Sequence, residues 1–139
     1  MQNLKSKISD LEVKTLSVFS RKSSQLSSLE IIQELPWPVQ RVFFITCLQE
    51  EVRGEHAHKE CIQAILCTVG HVEITCLDGE EEKIFSLSNI GELLIVPPGI
   101  WIKINFQPGS SITVLASEKF AESDYIRNWV EFQKYRQAN

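Results

Sequence analysis

An all-β sandwich or barrel is the fold class this sequence predicts, and three observations predict it. β-branched, aromatic and other apolar residues recur in short runs from Arg41 onward: RVFFITCL, CIQAILCTV, HVEITCL, EKIFSL, ELLIV, IWIKINF and SITVLAS. Turn signals separate the runs at Val69-Gly70-His71, Asp78-Gly79, Asn89-Ile90-Gly91, Pro97-Pro98-Gly99 and Pro108-Gly109-Ser110. No helical period intervenes, and short strands spaced roughly 8–12 residues apart by turns are the pattern of antiparallel all-β folds.

Residues 1–28 are weakly patterned, and Ser20, Ser23, Ser24, Ser27 and Ser28 crowd one stretch, so loop or frayed edge structure is expected there. A short apolar run, Leu29 to Leu35, precedes Pro36-Trp37-Pro38, whose prolines fix an extended, non-helical connection. The strand-like runs follow, with Asp78-Gly79 marking a hairpin. After them the period changes. ESDYIRNWVEFQKYRQ sets Tyr125, Trp129, Phe132 and Tyr135 near helical spacing, with Ser123 as a candidate N-cap. This predicts one C-terminal helix over 122–136, packed on the β structure. The 139 residues read as a single domain, 1–139.

Composition narrows the function. The formal net charge is -4 and the isoelectric point near 5.4, which disfavours a nucleic-acid binder. No apolar run approaches the roughly 18 residues of a membrane span, and no cationic start leads into an apolar block. The cytoplasm is the expected location. Cys47, Cys61, Cys67 and Cys76 form no CxxC pair and lie in strand-like runs, so they read as reduced packing residues rather than zinc ligands.

Chemistry concentrates in Gly54-Glu55-His56-Ala57-His58. Two histidines at i and i+2 on a strand share a face. If that face lines the interior, two imidazoles project into one cavity. Gln63 follows His58 after four residues, and Gly70 follows after six more; Gly91 is followed after five by Pro97, then Gly99, Trp101 and Ile102. This paired spacing resembles the two sequence motifs of the cupin superfamily, and it implies a cupin jelly-roll β-barrel with the site in its mouth. A metal-binding cupin uses a Glu and a further His where Gln63 and Ile102 stand. His56 and His58 alone are a poor divalent-metal site, so no metal is expected. Their imidazoles are then free for proton transfer near neutral pH.

A narrower resemblance runs in order over about residues 28–135. RVFFI (41–45), VRGEHAHKE (52–60), GELLIVPPGIW (91–101), VLAS (114–117) and ESDYIRNWVEF (122–132) are similar to segments of the sugar-nucleotide 3,4-ketoisomerases. These act on dTDP-linked 4-keto-6-deoxyhexoses. The resemblance implies a homodimer without cofactor, active in deoxysugar supply for surface polysaccharide such as lipopolysaccharide, with His56 and His58 catalytic. It brings Arg53 to the substrate as a cation for the enediolate or the diphosphate. Arg41, Phe43, Gln63 and Trp101 complete the expected substrate-binding set, Trp101 as a platform for the base. On the strand's geometry, His58 is placed over the carbon edge and His56 nearer the oxygens. Phe43 and Phe44 replace family tyrosines, and Ile102 replaces a common His. These replacements favour an alternative, a sugar-nucleotide-binding cupin without turnover.

Overall fold

The computed structural model describes residues 5–138, and these fold into two facing antiparallel sheets. Strands β1 (Val13–Thr15), β4 (Arg41–Cys47), β6 (Gln63–Val69), β9 (Glu92–Val96) and β11 (Ser110–Ala116) form the first, in the order β1-β9-β6-β11-β4. Strands β5 (Glu51–His58), β7 (Val72–Leu77), β8 (Glu82–Leu87), β10 (Trp101–Phe106) and β12 (Tyr125–Ile126) form the second, in the order β12-β5-β10-β7-β8. From β4 to β12 the chain crosses between the sheets at every step except the β7–β8 hairpin, as in a jelly roll. Each sheet has one apolar face, and the two bury these faces against each other. Ile65, Val72, Ile74, Leu87, Leu94, Ile104, Phe106, Ile112 and Val114 fill the space between. The sheets keep separate ladders, so the expected barrel is realised as an open sandwich of cupin type.

The seven strand runs read from the sequence are strands β4 and β6 to β11; β5, which carries the two histidines, has no apolar run of its own. Alternation is clearest in β7, where Val72, Ile74 and Cys76 are buried while Glu73, Thr75 and Leu77 are only half-buried. All four cysteines are buried free thiols. The N-terminal stretch is more ordered than its composition predicts. β1 extends the first sheet along β9, and β2 (Val18–Arg21) pairs with β3 (Ser24–Ser27) in a hairpin outside both sheets. A one-turn helix, α1 (Ile31–Glu34), precedes Pro36, and Trp37 is buried in a second cluster with Leu35, Ala64, Leu93 and Leu115.

The helix expected over 122–136 requires correction. Glu122–Asp124 is a 3-10 turn, Tyr125–Ile126 is strand β12, and the helix, α2, spans Trp129–Gln137. Its cap is Asn128, whose side chain accepts the Glu131 N–H at 3.0 Å; Ser123 caps nothing. The free edge of β5 explains the change. Tyr125 and Ile126 pair there with His58 and Ala57, a non-local ladder that overrides the local period. Phe132 then seals α2 against Trp101, Ala57 and Ile126.

Candidate active site

The site begins with an irregularity in β5. Ile102 pairs with His56, but its neighbour Lys103 pairs with Gly54, so Glu55 is an extra residue. Gly54 has φ 95° and Glu55 φ 53°. This is a β-bulge with glycine in the left-handed position that side chains resist. Its effect is a change of face. Arg53 pairs with Ile104 and His56 with Ile102, and both isoleucines line one cavity. Arg53 and His56, three apart, would face opposite ways on a regular strand; the bulge puts them on the same side.

The cavity holds about 510 Å³. Ile65, Ile102, Ile104, Ile112 and Val114 make an apolar floor, and Gln63 and His56 stand in its wall. Arg53, Glu51, Glu55, Phe44, Tyr125 and Arg127 surround it toward solvent. Phe43 lines it too. The guanidinium of Arg127 lies 4.2 Å from the Tyr125 ring centroid and holds Glu122 through Nε and Nη2 at 2.6 and 3.1 Å.

The two histidines are anchored differently. His56 Nδ1 bonds to the Gly54 carbonyl at 2.9 Å, which fixes Nδ1 as the protonated nitrogen. His58 Nδ1 bonds to the Asp124 carboxylate at 2.8 Å. Asp124 also accepts the Glu60 N–H at 2.7 Å and the Cys61 N–H at 3.4 Å. Both Nε2 atoms are buried without a hydrogen-bond partner. The imidazoles lie 5.0 Å apart, edge to face, and the Tyr125 ring packs on both at 5.0 and 4.3 Å.

Burial, followed by the positive charge a protonated His58 would add, pushes the His56 pKa down to about 4. Burial also lowers that of His58, against the opposing pull of Asp124. Asp124 is itself partly desolvated, yet the His58 hydrogen bond and the backbone N–H donors hold it below the usual carboxylate range. Near neutral pH the site therefore carries two neutral imidazoles, one backed by a carboxylate, each with a free Nε2 lone pair.

Four of the residues expected from the sequence, His56, Arg53, Phe43 and Gln63, line the cavity. His58 is only 5% exposed, its ring covered by Tyr125 at 4.3 Å, so the histidine that lines the cavity directly is His56, not the His58 expected over the carbon edge. Arg41 and Trp101 do not line it. The Arg41 guanidinium lies over the Phe43 and Phe120 rings at 5.1 and 5.5 Å, with its Nε buried and unpartnered. Trp101 packs edge to face on Trp129 at 5.3 Å, under α2. Asp124, Tyr125 and Arg127 lie in the segment expected to be helix; they build the site instead. The signal was the SDYIRN block, whose spacing alone does not show that it returns to β5.

The residues present do not suit the metal that many cupins hold. Gln63 and Ile102 leave the histidines without further strong donors, and both Nδ1 atoms are engaged. Among the described residues, His58, Cys61 and Asp124 alone bring donor atoms of this kind within 4.8 Å of one another. There Asp124 already accepts three N–H groups, and the His58 Nδ1 facing it carries a proton.

A jelly roll whose cavity wall carries one anchored histidine with a second, carboxylate-backed one beside it, and no metal set, defines a cupin suited to proton transfer on a small polar ligand. Residues 9–137 match the family described as FdtA: WxcM-like, C-terminal, and the chain belongs to that family. It is 33% identical over 112 residues to the TDP-4-oxo-6-deoxy-alpha-D-glucose-3,4-oxoisomerase of Aneurinibacillus thermoaerophilus, covering 79% of this chain and 81% of that protein. The crystal structure of QdtA, a sugar 3,4-ketoisomerase from Thermoanaerobacterium thermosaccharolyticum in complex with TDP, superposes with a TM-score of 0.87 and 30% identity, over 94% of this chain and 96% of that one. A 3,4-ketoisomerase from Helicobacter canadensis gives 0.86 and 29%, over 93% and 98%.

Proposed function

We propose that this protein is an isomerase that moves the ketone of a dTDP-linked 4-keto-6-deoxyhexose from C4 to C3. The observation that carries the reading is the pair of neutral imidazoles, each with Nδ1 tied down and Nε2 free, beside a cavity of about 510 Å³. Similarity to isomerases of this class supports it. The reaction needs a base that serves both carbons and a group that moves a proton between the two oxygens. Phe43 and Ile102 put no acid or base in the apolar wall, and Glu51 and Glu55 stand toward solvent, so we assign this work to the histidines. His56, in the wall, removes the C3 proton and returns it at C4. The Tyr125 ring, packed on both imidazoles, turns aside as the sugar enters. Arg53 at the rim meets the diphosphate, and the protein requires no metal or cofactor.

The protein works as a homodimer in the cytoplasm and supplies a deoxysugar for surface polysaccharide. Free thiols at all four cysteines suit a reducing compartment. Among the described residues no helix is long and apolar enough to cross a membrane.

The test is dTDP-4-keto-6-deoxyglucose in deuterated buffer, followed by NMR. The expected result is deuterium exchange at C3 and accumulation of the 3-keto sugar. His56→Asn abolishes the exchange and leaves dTDP affinity within about threefold, because only a transition-state interaction is removed. Binding without exchange or product in the wild type supports instead the non-catalytic sugar-nucleotide binder.

A further inference from the structure

The histidines differ in what stands behind them. A carbonyl fixes His56 but carries no formal charge. The charged groups nearest His56, Arg127 and Glu122, are paired with each other. His58 faces a carboxylate that sits 2.8 Å from Nδ1 and is itself fixed by two backbone N–H donors. The Asp124 carbonyl also accepts the Lys59 N–H at 2.9 Å, so the turn that carries Asp124 is stapled to the end of β5. The other charges acting on His58 are Arg41 and Arg127, both unfavourable to an imidazolium. Among the described residues, Asp124 is therefore the one anion built against it. A buried imidazolium needs such a partner.

We propose that Asp124 is the positioning residue that divides the work of the pair, making His58 the histidine that holds a proton between the substrate oxygens and leaving His56 to the carbons. The proposal deepens the isomerase reading and rests on it. Asp124 touches no substrate. It keeps the proton of neutral His58 on Nδ1, so that Nε2 starts as an acceptor, and it stabilises the imidazolium that follows. The steps balance. His56 takes the C3 proton, the C3–H electron pair becomes the C3–C4 double bond, and the carbonyl pair moves to O4. His58 takes the O3 hydroxyl proton and delivers it to O4. The O3 electrons then form the new carbonyl as C4 recovers the proton from His56. Nothing is oxidised or reduced overall, and no co-reactant enters.

Asp124→Asn and Asp124→Ala test this with readouts that simple loss of structure does not produce. Nitrogen-15 NMR of substrate-free wild type should show His58 protonated at Nδ1 and bare at Nε2. In Asp124→Asn the amide can donate to Nδ1, so the proton moves to Nε2. Both variants should bind dTDP normally and keep C3 exchange within about tenfold, while product formation falls roughly 10²–10⁴-fold, the range of general acid–base help. An unchanged His58 tautomer in Asp124→Asn overturns the proposal. So does product formation within about threefold of wild type. Equal loss of exchange and turnover, or loss of dTDP binding, also overturns it, since Asp124 then serves the carbon step or the fold. If the wild type forms no 3-keto sugar, the isomerase reading falls and the oxygen shuttle falls with it. The tautomer measurement still reports separately whether Asp124 orients His58.

Discussion

His56 is held neutral by its surroundings, and this links stability to pH. In the unfolded chain it binds a proton near the ordinary histidine value of about 6.5. Folded, burial and His58 delay protonation to about pH 4. Between these values the unfolded state binds the extra proton, so acid favours unfolding. The contribution of His56 is complete above about pH 6.5 and is lost as pH falls to about 4, below which it is level. His58 adds a loss of the same sign, since its pKa is also lowered. Urea denaturation at pH 7, 5.5 and 4.5 should show this decline. His56→Gln, which cannot protonate, should flatten it; an equal slope in that variant would refute the assignment. The two histidines were legible as residues, because their spacing is a strand signature. Their unequal partners were not, because Asp124 lies 66 residues from His58 along the chain.

The bulge in β5 is the element on which the site depends. It turns Arg53 onto the face of His56, and its glycine supplies the carbonyl that anchors the His56 ring. A Cβ at residue 54 would lie 3.2 Å from the Ile102 carbonyl oxygen, on a backbone of φ 95°. Gly54→Ala is expected to lower stability by about 1–3 kcal/mol, the usual strain of such a conformation. It should also reduce turnover, because relief of that strain moves the carbonyl away from Nδ1. Thermal melting and the NMR assay measure the two effects; wild-type values in both would mean that β5 tolerates a regular strand here. The strands themselves were readable, since β7 and β10 alternate apolar and polar residues while β9 and β11 run largely apolar, each between turn residues. The bulge was not, because a Gly-Glu step within a strand has no pattern of its own. α2 was displaced for a related reason: pairing with β5 claimed Tyr125 and Ile126, and only a tertiary contact decides that.

Across the whole molecule, apolar surface is left uncovered on the outlying hairpin, on α1 and on a sheet edge. Phe19 and Leu26 on the β2–β3 hairpin are 66% and 60% exposed, Ile32 on α1 is 95%, and Phe44 on the edge strand β4 is 72%. Large exposed apolar groups beside an open sheet edge are the usual marks of a protein interface. A second copy of the chain is the expected partner. Sedimentation equilibrium at micromolar concentration should give twice 15.9 kDa, and Phe19→Asp with Leu26→Asp should shift the population toward monomer. A wild type that sediments as a monomer would remove the dimer from the proposed function. The jelly roll was legible at this scale because it follows from strand count and turn spacing. The hairpin was not, because its serine-rich strands bury little and leave no alternating pattern.

The 3-10 turn and the two-residue strand β12 deliver Asp124 and Tyr125 to histidines on a much longer strand. The catalytic arrangement is thus shared between two regions of unequal resistance to opening. A two-residue ladder, even with Ile126 buried, is expected to exchange its amide hydrogens through local fluctuations, whereas β6, β10 and β11 are expected to exchange only when the core comes apart. Each time β12 lifts from β5, Asp124 leaves His58 while the cavity floor of isoleucines keeps its shape. Catalytic competence is then governed by the closing equilibrium of this one strap rather than by the global stability of the sandwich, and the two can change independently under temperature, denaturant or mutation.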